Sequence, residues 1–149
     1  MTVAIGTDHG GFELKEKIKK WLNKSGYQVH DVGASRYDPD DDFPDSARKV
    51  AEKVASGKAE RGIAICGSGV GACVTANKIK GIRASVCHDS YSARQGVEHD
   101  ALNVLCLGGR IIGDELAKDL VYAFLQANYR NEGKYKRRVD KVIKLEQEK

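Results

Sequence analysis

The sequence predicts an α/β fold, a three-layer sandwich in which one five-stranded parallel sheet carries helices on both faces. Three observations support this. Short apolar runs of strand length alternate with amphipathic segments of helical period along the whole chain. The connections are short, and such alternation builds parallel sheets buried on both sides. The 149 residues suffice for one core of ordinary size, so residues 1–149 are expected to form a single domain.

The first strand is expected around Val3 to Ile5, ending in Thr7-Asp8-His9-Gly10-Gly11. Leu14, Ile18, Trp21 and Leu22 recur at helical spacing after it, and Gly26 stops that helix. Tyr27 to Val32 reads as a second strand, followed by a turn-rich loop from Gly33 to Asp42. Pro44 suits the first turn of a helix whose Ala47, Val50, Ala51 and Val54 share a face, with Gly57 ending it. A third strand, Gly62 to Ile65, runs into Cys66-Gly67-Ser68-Gly69-Val70-Gly71 and a helix to about Lys78. A strand at Ile82 to Val86, a helix near Ser90 to Glu98 and a strand at Leu102 to Leu107 complete the sheet. Leu116, Leu120, Val121 and Phe124 line a helix from about Asp114 to Ala127. A last helix, about residues 133–146, places Val139, Val142 and Ile143 on one side.

Composition narrows the function classes. A chain 41% hydrophobic and 31% charged is that of a globular protein, and no apolar run is long enough to span a bilayer. No basic segment followed by an apolar one opens the chain, so a cytoplasmic protein is expected. The net charge of +4 gathers near the C-terminus, at Lys134, Lys136, Arg137, Arg138, Lys141 and Lys144. Little aromatic interleaving accompanies it, so a small anionic ligand fits better than nucleic acid. Cys66, Cys73, Cys87 and Cys106 contain no Cys-x-x-Cys pair, which argues against zinc and for four free thiols.

The glycine turn after the third strand is the strongest chemical signal. Gly67, Gly69 and Gly71 let the backbone bend sharply, and successive N–H groups before a helix make a site for negative charge. It lacks the Gly-x-Gly-x-x-Gly spacing of a dinucleotide site and follows the third strand rather than the first. Cys66 stands immediately before this turn, a location that stabilises a thiolate. Such a thiolate could take a proton from a carbon next to a carbonyl while the turn's amides hold the enediolate, with Ser68 shuttling a proton between oxygens. A packing role would also fit a cysteine that ends an apolar strand. Asp8 and His9 end the first strand beside two glycines, and an Asp there can also simply cap a helix. His99 falls between the fourth helix and the last strand, and Arg110 follows two glycines at the ligand-binding edge of the sheet. His30 and His88 have no comparable context.

Taken together, Asp8-His9-Gly10-Gly11-Phe12-Glu13-Leu14-Lys15, Cys66 to Gly71, Ala76-Asn77-Lys78, Gly81-Ile82-Arg83-Ala84, His99, Asn103-Val104-Leu105 and Gly109-Arg110 resemble type B ribose-5-phosphate isomerase. That family also includes galactose-6-phosphate and allose-6-phosphate isomerases, and the resemblance covers nearly the whole chain. It implies a Rossmann-like homodimer, or a dimer of dimers, with sites built from both subunits and the C-terminal helix packed on the partner. It implies no metal and no cofactor. By matching position, Cys66 would be the base acting between C1 and C2, assisted by Ser68, with Gly67, Gly69, Val70 and Gly71 holding the enediolate. His99 would open the furanose ring, Asp8 would position hydroxyls, and His9 and Arg110 would bind phosphate. One branch of the family uses a glutamate where this chain has Ala72, which leaves only the cysteine route here.

Several positions depart from the family pattern. Asp100 replaces an Asn, Phe43 replaces a Tyr, and Lys134-Tyr135-Lys136-Arg137-Arg138 replaces Arg-His-x-x-Arg. Arg138 matches, whereas Lys134 offers a point charge in place of a forked guanidinium. Asp100 must accept a sugar hydroxyl or pair with a cation. The resulting expectation is ribose 5-phosphate isomerisation. The alternatives are another sugar phosphate, a hexose 6-phosphate or a tetrose phosphate, and a non-catalytic sugar-phosphate-binding module.

Overall fold

A computed structural model describes residues 1–148. The strands are β1 (Thr2–Thr7), β2 (Gln28–Asp31), β3 (Arg61–Cys66), β4 (Ala84–Val86) and β5 (Val104–Gly108). The helices are α1 (Phe12–Lys24), α2 (Phe43–Ala55), α3 (Val70–Ala76), α4 (Ser90–Asp100), α5 (Asp114–Gln126) and α6 (Gly133–Gln147). All strand pairs are parallel, in the order β2-β1-β3-β5-β4. The chain steps outward from β1 to β2 and then returns across β1 to β3. The strand order therefore reverses between β1 and β3, and in open parallel sheets that reversal opens a crevice at the carboxyl ends.

Period-two alternation along the strands builds two cores. Val3, Ile5, Ile63, Ile65, Leu105 and Leu107 face α1, α4 and α5, meeting Ile18, Val97, Leu120 and Phe124. Ala4, Ala64, Cys66, Val104 and Cys106 face α2 and α3, meeting Val50, Ala51, Ala72 and Ala76. Each fully buried Leu, Ile, Val or Phe contributes about 1.5–3 kcal/mol, so the two layers hold the sheet from both sides. Among the described residues no helix is long and apolar enough to cross a membrane.

Several features differ from the sequence reading. β4 begins at Ala84 rather than Ile82, because side chains satisfy the backbone before it. Asn103 Oδ1 accepts the Arg83 N–H at 2.7 Å, and Asn77 Oδ1 accepts the Ala84 N–H at 2.9 Å. Helix α4 runs to Asp100, so His99 lies in its last turn and not in the loop after it. Ala101 closes that helix with a left-handed φ of 53° while the Leu102 N–H returns to Gly96 O, a C-cap without a glycine. Helix α6 stands outside both layers: Val139 is buried, but Val142 and Leu145 are exposed.

One charged side chain is wholly enclosed. Lys15 on α1 is 0% exposed. Its Nζ donates to both Asp31 oxygens, at 2.9 and 3.1 Å, and to Ala34 O, which ties α1 to the loop after β2.

Candidate active site

Three strand ends meet at the sheet reversal. β1 leads into Asp8 and a single 3-10 turn, His9–Gly11; β3 leads into the glycine turn; β5 leads into Gly109 and Arg110. Backbone bonds knit the last two together, from the Gly109 N–H to Cys66 O at 2.8 Å and from the Arg110 N–H to Gly67 O at 3.0 Å. The β1 turn presses on them so closely that a Cβ on Gly10 would stand 2.7 Å from Gly67 N, which only glycine avoids.

Cys66 is 5% exposed, and its Sγ accepts the Gly69 N–H at 3.1 Å. Gly69 itself adopts a φ of +83°, the left-handed region that favours glycine, where the chain turns from β3 into α3. Ser68 Oγ is exposed and accepts the Val70 N–H at 3.2 Å. Val70 is exposed at the head of α3, and Gly71 lies beneath the Phe43 ring.

Asp8 is buried, its Oδ1 accepts the Gly10 N–H at 2.9 Å, and burial raises its pKa. Its side chain thus caps the 3-10 turn rather than helix α1. His9 is held from two points by one carboxylate oxygen. Asp41 Oδ1 accepts its backbone N–H at 2.9 Å and lies 2.8 Å from its Nδ1. That side-chain hydrogen bond is the main reason the His9 pKa is raised, which favours a cationic imidazole. Tyr37 packs edge-on to the His9 ring. The Arg110 side chain lies over Gly67 and places a positive charge beside Asp8 and His9. Asp8, His9 and Asp41 bring ligand atoms within 4.8 Å of one another, the one grouping among the described residues that could hold a cation. The turn amides, a sulfur, an arginine and a histidine whose cationic form is favoured suit an anionic substrate that forms an oxyanion.

The other predicted site residues do not join this cluster. His99 and Asp100 end α4, which runs from the end of β4 back toward the start of β5. Its 11 residues rise about 16 Å, which carries His99 to the opposite edge of the sheet from Cys66. There the His99 ring stacks on Tyr135 of α6, centroids 4.5 Å apart, and its Nδ1 lies 2.8 Å from Gln95 Nε2. Lys134 Nζ sits over the same Tyr135 ring, and Arg138 follows one turn along α6. His99 and Lys134 thus meet over Tyr135, with Asp100 next along α4 and Arg138 one turn along α6, and among the described residues no partner reaches His99 Nε2.

Asp41, Gln95 and the Tyr135 stack were not legible as site features. Asp41 stands in an acidic run whose members are equivalent in sequence, and the other two need tertiary placement. The remaining cysteines pack elsewhere. The buried Cys106 thiol hydrogen-bonds Cys73 and is itself raised, while Cys73 is held down at about 6. Cys73 nevertheless faces Ala84 O and the Asn77 amide rather than the glycine turn.

Comparisons with known proteins agree with this architecture. The family model described as Ribose/Galactose Isomerase matches residues 3–142. The solved structure of the Clostridium thermocellum ribose-5-phosphate isomerase B superposes with a TM-score of 0.95 at 45% identity, covering 99% of each chain. The Escherichia coli ribose-5-phosphate isomerase B is 43% identical over 145 residues, 97% of this chain and 96% of that protein. The Pectobacterium atrosepticum D-erythrulose-4-phosphate isomerase is 40% identical over 136 residues, 89% of this chain and 88% of that one. With a family match across the chain and relatives of this identity over nearly full length, the protein belongs to the ribose/galactose isomerase family of sugar phosphate isomerases.

Proposed function

We propose that the protein interconverts ribose 5-phosphate and ribulose 5-phosphate through an enediolate, in the cytoplasm and without a metal. The observation that carries this reading is the Cys66 sulfur seated against the Gly69 N–H inside a turn of backbone donors. In the open-chain aldose, Cys66 takes the proton from C2, and the C–H electrons form the C1–C2 double bond of the enediolate. The N–H groups of residues 67 to 71 hold the developing negative oxygen. Cys66 returns the proton to C1, while Ser68 moves a proton from the C2 oxygen to the C1 oxygen.

Ring opening precedes this step. The Gln95 amide donates to His99 Nδ1, which leaves the ring proton on Nε2; that N–H protonates the ring oxygen as the anomeric hydroxyl gives up its proton, which returns to Nε2. Asp8 and Asp100 accept sugar hydroxyls, and His9, Arg110, Lys134 and Arg138 surround the phosphate. The distance of the His99 cluster from Cys66 within one chain favours a homodimer, or a dimer of dimers, in which each site takes the second cluster from the partner. The exposed Val142 and Leu145 of α6 supply apolar surface for that contact.

Relatedness to a D-erythrulose-4-phosphate isomerase, together with Phe43 and Asp100, favours a tetrose phosphate as the second reading. The test is kcat/KM for four-, five- and six-carbon aldose and ketose phosphates in excess chelator. The proposal expects the five-carbon pair to lead. A tetrose or hexose phosphate preferred more than about tenfold, or dependence on added metal, would overturn it.

A further inference from the structure

The edge of the sheet beside the glycine turn is unfinished. β4 pairs with β5 only from Ala84 to Val86, opposite Val104 to Cys106, whereas β5 continues to Gly108. Extended in register, position 88 would stand opposite Gly108. No strand continues there, because Asp89 caps α4 through the Ser92 N–H. The side chain of His88 takes over the missing ladder contact. Its Nε2 accepts the Gly108 N–H at 3.0 Å. A backbone N–H only donates, so Nε2 is unprotonated and the ring proton resides on Nδ1.

Gly108 is the residue on which the site rests. It pairs in register with Cys66, and a Cβ on it would stand 2.8 Å from the Ser68 carbonyl carbon and oxygen. Gly69, whose N–H meets the Cys66 sulfur, packs on the Leu107 and Gly108 backbone, 3.0–3.2 Å from where its Cβ would stand. The next two residues of β5's extension supply the N–H groups to Cys66 O and Gly67 O and carry Arg110. We propose that His88 is a positioning residue for the isomerase reaction, fixing Gly108 so that the Cys66–Gly69 turn and Arg110 keep their register. This rests on the isomerase reading given above. His88 touches no reacting atom and acts only through the end of β5.

The test compares His88→Ala, His88→Asn and His88→Gln in the full-length protein. Gln places an acceptor oxygen at the reach of Nε2, Asn falls one bond short, and Ala has none. The expected result is a loss of about tenfold or more in kcat/KM for Ala and Asn, because small misplacement of the turn is costly. Gln should stay within about threefold of wild type for the same reason. Two-bond 15N–1H spectra of the wild type should show Nε2 of His88 unprotonated. Equal loss in all three variants, near-native kcat/KM in His88→Ala, or a protonated Nε2 would each overturn the inference. A wild type inactive on every sugar phosphate would instead sink the isomerase reading, while the nitrogen spectrum would still decide whether His88 accepts from Gly108.

Discussion

Mixing two inactive variants should restore activity if the two clusters of one site come from different copies of the chain. Cys66→Ala breaks the glycine-turn cluster and His99→Asn breaks the α4–α6 cluster. Within one chain, helix α4 is about 16 Å long and carries His99 away from the strand ends that hold the glycine turn. Each parental dimer then has both of its sites broken. A heterodimer has one site with both defects and one with none. Random exchange makes half the dimers heterodimers, so a one-to-one mixture should recover about a quarter of wild-type activity in a two-fold symmetric dimer. The assay is ribulose 5-phosphate formation after co-expression, or after dissociation and reassociation of the two variants, with each parent run alone. Activity that stays at the parental sum while exchange is demonstrated, or full activity in either parent, would refute the shared-site reasoning.

Three further substitutions test the local physics. Gly69→Ala places a Cβ 3.0 Å from the Leu107 carbonyl carbon at a φ of +83°, so it should cost about 1–2 kcal/mol of stability and lower kcat; unchanged stability and kcat would contradict the crowding argument. Lys15→Met removes a fully buried ammonium from Asp31, which keeps Lys19. The loss should therefore lie toward the lower end of ~3–5 kcal/mol, and a value under about 1 kcal/mol by urea denaturation would contradict it. For Asp31, burial pushes the pKa up, but hydrogen bonds from Lys19 and Lys15 outweigh it and hold the carboxyl below its ordinary value. That contribution is present above the unfolded carboxylate pKa, about 4, and is lost as pH falls through the lower folded value, with a shallower loss in Lys15→Met. Asp41→Asn should drop the His9 pKa, because the Asp41 hydrogen bond is what raises it. KM for the sugar phosphate should then rise where the wild-type imidazole is still cationic, and an unmoved His9 titration by NMR would refute this.

The layers of the fold were legible because the strand residues alternate cleanly between two cores, and each helix repeats its apolar residues every three or four positions. What the residues concealed were contacts made by side chains acting for backbone. Asn77 and Asn103 shorten β4 by occupying the N–H groups of Ala84 and Arg83. The αL cap falls on Ala101, where no glycine marks it, so His99 and Asp100 sit inside the helix rather than after it. The glycine turn announced itself through Gly67, Gly69 and Gly71, and Cys66 through its place before them. His88 carried no local signal: its partner, Gly108, is fixed only by the register of β4 on β5. The separation of His99 and Asp100 from Cys66 within one chain follows from the antiparallel return of α4, which becomes readable once the strand order is known.

The central claim is that Cys66 moves the proton between C1 and C2. The most direct measurement is ribose 5-phosphate to ribulose 5-phosphate turnover by wild type and Cys66→Ala in excess chelator, with thermal unfolding of both recorded. The account expects brisk turnover by the wild type and a loss of at least about a thousandfold in a variant that unfolds at the wild-type temperature. A folded Cys66→Ala protein within about tenfold of wild type would contradict it.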